Sequence, residues 1–227
     1  MKCKGINYDV GVYPLGDARP SRAVFDPAIV RREIEIIKSD LQCNAIRIVG
    51  RDLERLVIAA EFALDQGLEV WFGPGFHDAD EQHTLAYFTE CAKAAETLRQ
   101  KSPQIVFIAG WELTFFMKGL VLGDTGMERI GAFMKPWWLL WSTLRLGPFN
   151  RNLNRFLAKA VQECAAFPWT GDLCVRHMGK CRLDAVRFRE HRLLSRCDEQ
   201  EGVSSKPAKV FRARKARRDN GIRLLHV

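Results

Sequence analysis

Up to about residue 166 the apolar positions fall into two recurring patterns, short continuous runs and longer stretches spaced three and four apart. The first short run, Cys3 to Tyr8, reads as a strand and gives way to a turn-rich segment containing Gly11, Pro14, Gly16 and Pro20. Asp26-Pro27 then opens a helix, because Asp accepts from the free first-turn amides and proline fits the first helical position. Ile29, Val30, Ile34, Ile37 and Leu41 follow at helical spacing.

The unit repeats. Ala45 to Val49 has the make-up of a buried strand, Asp52 caps a helix through Leu56, Ala59, Ala60 and Ala63, and Gly67 ends it. Leu68 to Phe72 is a third strand, followed by a helix from about Asp80 to Arg99, and Gln104 to Ala109 is a fourth strand. Continuous apolar strands alternating with amphipathic helices predict an α/β fold with a parallel sheet. No GxGxxG marks the first strand-helix joint, which disfavours a dinucleotide-binding sheet and favours part of a (β/α)8 TIM barrel, about its first four βα units.

After Trp111-Glu112 the pattern loosens. Trp137, Trp138 and Trp141 cluster in a stretch that reads as a long βα loop packing on itself, and a helix is expected near Asn150 to Ala166. The most apolar segment, Phe133 to Leu146, is broken by Lys135, Pro136 and Arg145 and is shorter than the roughly 20 residues that span a bilayer, so no membrane span is expected. Beyond Phe167 no periodicity survives. The chain therefore divides into residues 1–166, the N-terminal half of a barrel domain, and residues 167–227, an irregular tail that supplies no strands of the missing half.

Charge sharpens that boundary. The net charge is +8, yet residues 1–167 hold 20 Lys+Arg against 20 Asp+Glu, whereas residues 168–227 hold 15 against 7. Arg212, Arg214, Lys215, Arg217 and Arg218 would neutralise phosphates, which makes a nucleic-acid-binding arm the alternative function, but no interleaved aromatics accompany them and nucleic acid is disfavoured as a partner. Cys174, His177, Cys181 and either His191 or Cys197 could be combined into a zinc site. The paired CxxC spacing of structural sites is absent, so no metal and no cofactor is expected. Seven scattered cysteines and no apolar signal region after Met1-Lys2 point to a reducing cytoplasm.

In parallel barrels the active site forms at the C-terminal ends of the strands. The residues there are Asn7-Tyr8-Asp9, Arg47, Trp71 with the nearby His77-Asp78, and Glu112. The segments KGINYDVGVYP, CNAIRIVG, GLEVWFGPG and IVFIAGWELT, in this order, resemble a bacterial family of glycoside-hydrolase-like TIM-barrel proteins, some of whose members are labelled abortive infection proteins. The resemblance covers about residues 2 to 166.

The resemblance implies a retaining glycosidase site, in which an acid/base Glu ends the fourth strand and a nucleophilic Glu ends the seventh, with carboxyls roughly 5–5.5 Å apart. Glu112 takes the acid/base position, although Trp111 stands where an Asn often precedes it. Arg47 corresponds to a strand-two arginine that braces the carboxylates, and Tyr8, Trp71 and His77 suit stacking on a sugar and recognition of its hydroxyls. A carbohydrate is the implied ligand.

The family's nucleophile lies in a segment resembling KPVVTTEFG, and residues 167–227 contain nothing like it. Moved forward by one base, however, codons for residues 212–226 permit AHGKPVVTTEFGCC, and those for residues 181–197 permit VDWTPFDFVSIDYYRDA. A third string, ending SVIWES, arises from residues 174–180 in the same frame and in family order. This pattern predicts a frameshift near residues 163–170, which also accounts for the arginine surplus. The expected product keeps Glu112, lacks the second carboxylate, is catalytically incompetent, and exposes an open barrel edge prone to self-association.

Overall fold

The computed structural model describes residues 4–12, 19–166, 172–176 and 223–226. Strands β1 (Gly5–Gly11), β2 (Ala45–Gly50), β3 (Glu69–Pro74) and β4 (Ile105–Trp111) pair in parallel and in chain order. Helices α1 (Pro27–Ser39), α2 (Leu53–Asp65) and α3 (Glu81–Lys101) make the crossovers. The short α4 (Leu113–Phe116) follows β4, and α5 (Gly126–Phe133), α6 (Pro136–Leu146) and α7 (Phe149–Ala166) lead away from it.

The helix starts lie where the capping chemistry puts them. The carboxylate of Asp26 accepts from the Ala28 amide at 2.8 Å with Pro27 leading α1, Asp52 accepts from Arg55 N at 3.1 Å, and Asp80 accepts from His83 N at 2.9 Å. Each side chain satisfies one amide that the first helical turn would leave unpaired. On α1 the buried stripe is Val30, Ile34 and Ile37, while Ile29, one position off that stripe, faces outward and Leu41 lies partly exposed just past the helix end.

The sheet is covered unequally. Tyr8, Val10, Ile46, Ile48, Val70, Phe72, Phe107 and Ala109 point into one core shared with the helices. On the opposite face the buried apolar cluster among the described residues is Val106 and Ile108 with Trp71 against them, and Arg47 and Val49 are half-buried there. Strand geometry forces this division, since successive side chains point to opposite faces.

Two features depart from the sequence expectation. The tail adds two strands, β5 (Asp172–Arg176), parallel to β4, and β6 (Arg223–His226), parallel to β5. The backbone reason is plain, because the outer edge of β4 offers unpaired amides and carbonyls that a following segment can satisfy. The aromatic segment is a helix, α6, whose tryptophans face outward rather than packing on a loop. Helix α7 matches the expected Asn150 to Ala166 helix to within one residue. The side chains of the tail, including the arginine cluster of residues 212–218 and the zinc candidates from Cys174 onward, lie outside the described residues.

Candidate functional site

The C-terminal ends of the four strands share one edge of the sheet, and the loops leaving them are tied down by side chains. At β1, Asp9 accepts from the amides of Gly11 at 2.7 Å and Val12 at 3.0 Å and from the Ser21 hydroxyl at 2.5 Å. This carboxylate closes the loop that follows β1, so the local architecture already uses its acceptors.

Tyr8, one residue earlier, points the other way. Its hydroxyl donates to Glu33 of α1 at 2.5 Å and accepts from Arg22 at 2.7 Å, and Arg22 pairs with Glu33 at 2.6 Å. Burial, followed by the hydrogen bond to Glu33, drives the phenol pKa up. Burial works against ionisation of Glu33, but the hydrogen bonds from Tyr8 and Arg22 outweigh it and hold the carboxyl below its usual range. The triad fastens loop to helix on the face opposite Arg47 and Trp71. Tyr8 is therefore not brought together with the other predicted sugar contacts.

Arg47 and Trp71 are neighbours. They are register partners on β2 and β3, and Trp71 is in turn aligned with Val106 on β4. The Trp71 indole donates to Glu69 at 2.8 Å. Glu112, by contrast, lies six residues beyond Val106 along the chain (112 − 106), a path of roughly 20 Å of extended strand. Arg47 thus sits in a deeper layer than the carboxylate it was expected to brace.

Around Glu112 a second, tighter assembly forms. The Glu112 backbone adopts φ 50° and ψ 34°, the left-handed region, and its carbonyl accepts from the amides of Phe115 at 2.9 Å and Phe116 at 3.2 Å. A non-glycine residue held there carries strain of the kind that concentrates at functional sites. Phe116 stacks on His77 with centroids 4.3 Å apart, and the Asp78 amide donates to Phe116 O at 2.7 Å. Lys118 N also bonds Ala79 O at 2.8 Å, so the loops after β3 and β4 are joined by backbone.

Arg129 of α5 binds this assembly from behind. Fully buried, it donates to the carbonyls of Phe115 at 2.5 Å, Gly123 at 2.9 Å and Phe116 at 3.3 Å, and it forms an ion pair with the Asp78 carboxylate. Five guanidinium N–H groups in a fixed plane suit several acceptors at once, which a lysine would not. The sequence reading did not single out Arg129. Its signal in the sequence was faint, a basic residue next to Glu128 in a short helix that also carries Ile130 and Phe133.

The structure therefore brings His77, Asp78, Phe116 and Glu112 to the β3 and β4 rim, Arg47 and Trp71 to a lower layer, and Tyr8 to the helix side. No known protein-family profile and no curated protein sequence matches the chain. Chemically, the rim offers a carboxyl group on a braced, strained turn beside a His-Phe stack. Among the described residues no group of three or more His, Cys, Asp or Glu is placed to hold a metal ion.

Proposed function

We propose that this chain is the N-terminal half of a glycoside-hydrolase-like TIM barrel, interrupted by a frameshift and catalytically incompetent as encoded. The observation that carries this reading is the strand order: β1 to β4 are neighbours in sequence order, with Glu112 just past the fourth. Doubly wound sheets reverse direction at a switch point, as in orders 3-2-1-4 or 2-1-3-4, whereas consecutive order is that of an arc of a barrel. The one-sided core supports the same reading, since the thinly covered face is the one a completed barrel would enclose.

On this reading Glu112 is the surviving acid/base, and the stack of His77 on the buried Phe116 supports the turn that carries it. Double displacement needs a second carboxylate to form the glycosyl intermediate, and the sequence as written has no segment resembling the nucleophile strand. The test is to sequence the coding DNA around residues 160–175, shift the frame by one base, and assay both products on a panel of aryl glycosides. The chain as encoded should be inactive and the restored chain should hydrolyse a glycoside in a manner lost in Glu112→Gln. Glu112-dependent hydrolysis by the chain as encoded, eluting as a monomer, would refute the proposal.

A further inference from the structure

Helix α6 has the sequence PWWLLWSTLRL, and Ser142 is its one buried residue. Trp137 is 70% exposed, Trp138 44% and Trp141 53%, and Leu140 and Leu144 are more than half exposed beside them. A helix apolar on nearly every side is ordinarily covered by protein or lipid. Exposed apolar surface of this extent marks an interaction site on a soluble protein.

The helix is held firmly while it presents this surface. The Ser142 hydroxyl accepts from the Leu122 amide at 2.9 Å. Phe133, just before α6, meets Phe115 edge-on at 5.0 Å and Phe149 at 5.5 Å, which ties the segment to α4 and α7. The tryptophans therefore face outward on a braced element.

Charge selects what covers them. Between Glu128 and Glu163 the chain has no Asp or Glu, and of its six Lys and Arg residues Arg129 is buried against Asp78 and Lys159 pairs with Glu81, which leaves four others at the surface. Lys135 caps the start of α6 and Arg145 lies in its last turn, and both are exposed, as are Arg151 and Arg155 on α7. A second copy of this face would set cations against cations, which disfavours a symmetric dimer. A surface with anionic groups at its boundary and hydrocarbon beneath satisfies both features. Tryptophan and flanking cations are the side chains that settle at such a boundary.

We propose that α6 docks the protein flat on an anionic lipid bilayer, with Trp137, Trp138 and Trp141 at the junction of headgroups and acyl chains and Lys135 and Arg145 against lipid phosphates. At 11 residues the helix is roughly 16 Å long, which fits it to lie in the interface. No described helix is long and apolar enough to cross a membrane.

The test uses the full chain and vesicles of phosphatidylcholine with or without phosphatidylglycerol, read by flotation and by quenching of tryptophan emission with brominated acyl chains. Docking predicts co-flotation with the anionic vesicles and strong quenching. Trp137→Ser/Trp141→Ser should weaken binding by about tenfold or more, and Lys135→Glu/Arg145→Glu by on the order of tenfold, with unchanged circular dichroism. The basic tail could hold the chain on anionic vesicles by charge alone. In that case the serine variant binds as well as the parent, quenching is absent and the proposal fails. A concentration-dependent dimer without lipid, lost in the serine variant, would also overturn it in favour of a second copy. Should the serine variant misfold, the quenching of the unaltered chain decides by itself.

Discussion

Replacing Arg129 by Met tests whether the β3 and β4 rim is held by one buried cation. The substitution keeps most of the side-chain volume and removes donors to three carbonyls and to Asp78. Breaking a buried ion pair by deleting one partner typically costs about 3–5 kcal/mol. Two features place Arg129→Met toward the lower half of that range. The Asp78 side chain is 34% exposed and can recover water, and the Phe116 carbonyl keeps its bond from the Asp78 amide. The carbonyls of Phe115 and Gly123 lose the guanidinium donor, at about 1–3 kcal/mol for each acceptor left buried without a partner. We expect about 3 kcal/mol from urea unfolding followed by circular dichroism. Asp78→Asn should cost about 1–2 kcal/mol, because the arginine retains its carbonyl acceptors. The two changes should be strongly non-additive in the double variant. If Arg129→Met costs under about 1 kcal/mol, or if Asp78→Asn costs as much as Arg129→Met, the rim is not organised by this guanidinium.

Four further outcomes follow from individual contacts. Because the folded-state pKa of Glu33 is lowered, its contribution is present above the unfolded value near 4.5 and is lost as pH falls through the folded value. The stability gap between the parent and Glu33→Gln, measured by urea unfolding, should therefore narrow from pH 7 to pH 3, and a constant gap would contradict the triad. At Gly50 an added Cβ would fall inside contact distance of Val10 Cγ2, so Gly50→Ala should cost roughly 1–3 kcal/mol and be partly relieved by Val10→Ala, checked by a double-mutant cycle. Cys91 is buried and its thiol is pushed up to about 12 by burial, so a thiol reagent at pH 8 should label it only as the protein unfolds, with fast native labelling as the contrary result. Glu112→Gly should leave stability equal or raise it by about 0.5–1 kcal/mol, since glycine accepts the left-handed backbone without the side-chain penalty, and a loss in thermal unfolding would show the glutamate side chain to be structural.

Periodicity and capping carried most of the first four βα units. Asp26 and Asp52 each mark a helix start to the residue, because a side-chain cap is a local interaction between positions two or three apart, and Asp80, expected only as the approximate start of the third helix, caps it in the same way. The two tail strands were not legible. Parallel pairing depends on an edge presented by a distant segment, and β6 meets β5 across the 46 residues 177–222. The exposure of the α6 tryptophans was also hidden, since an apolar helix looks the same in sequence whether it is covered or bare. Arg129 was missed for a related reason: its acceptors are backbone carbonyls and an aspartate 51 positions away.

The candidate site divides along the same line between local and distant information. Tyr8 and Asp9 are adjacent at one strand end, yet the pleat sends Tyr8 to α1 and leaves Asp9 to its loop, so a strand-end residue is a site candidate only on the alternate positions that face away from the helices. Arg47 and Trp71 pass that parity test, and register then places them together. Register also separates them from Glu112, because a shared position at the end of a strand says nothing about layer until the pairing is known. What remains at the rim is held by contacts between β3 and β4 loops, and all of its described members precede residue 130. The outer strand of this rim, β4, is in turn paired with β5 of the tail up to Trp111 and Arg176, so the turn at Glu112 starts one residue past that pairing.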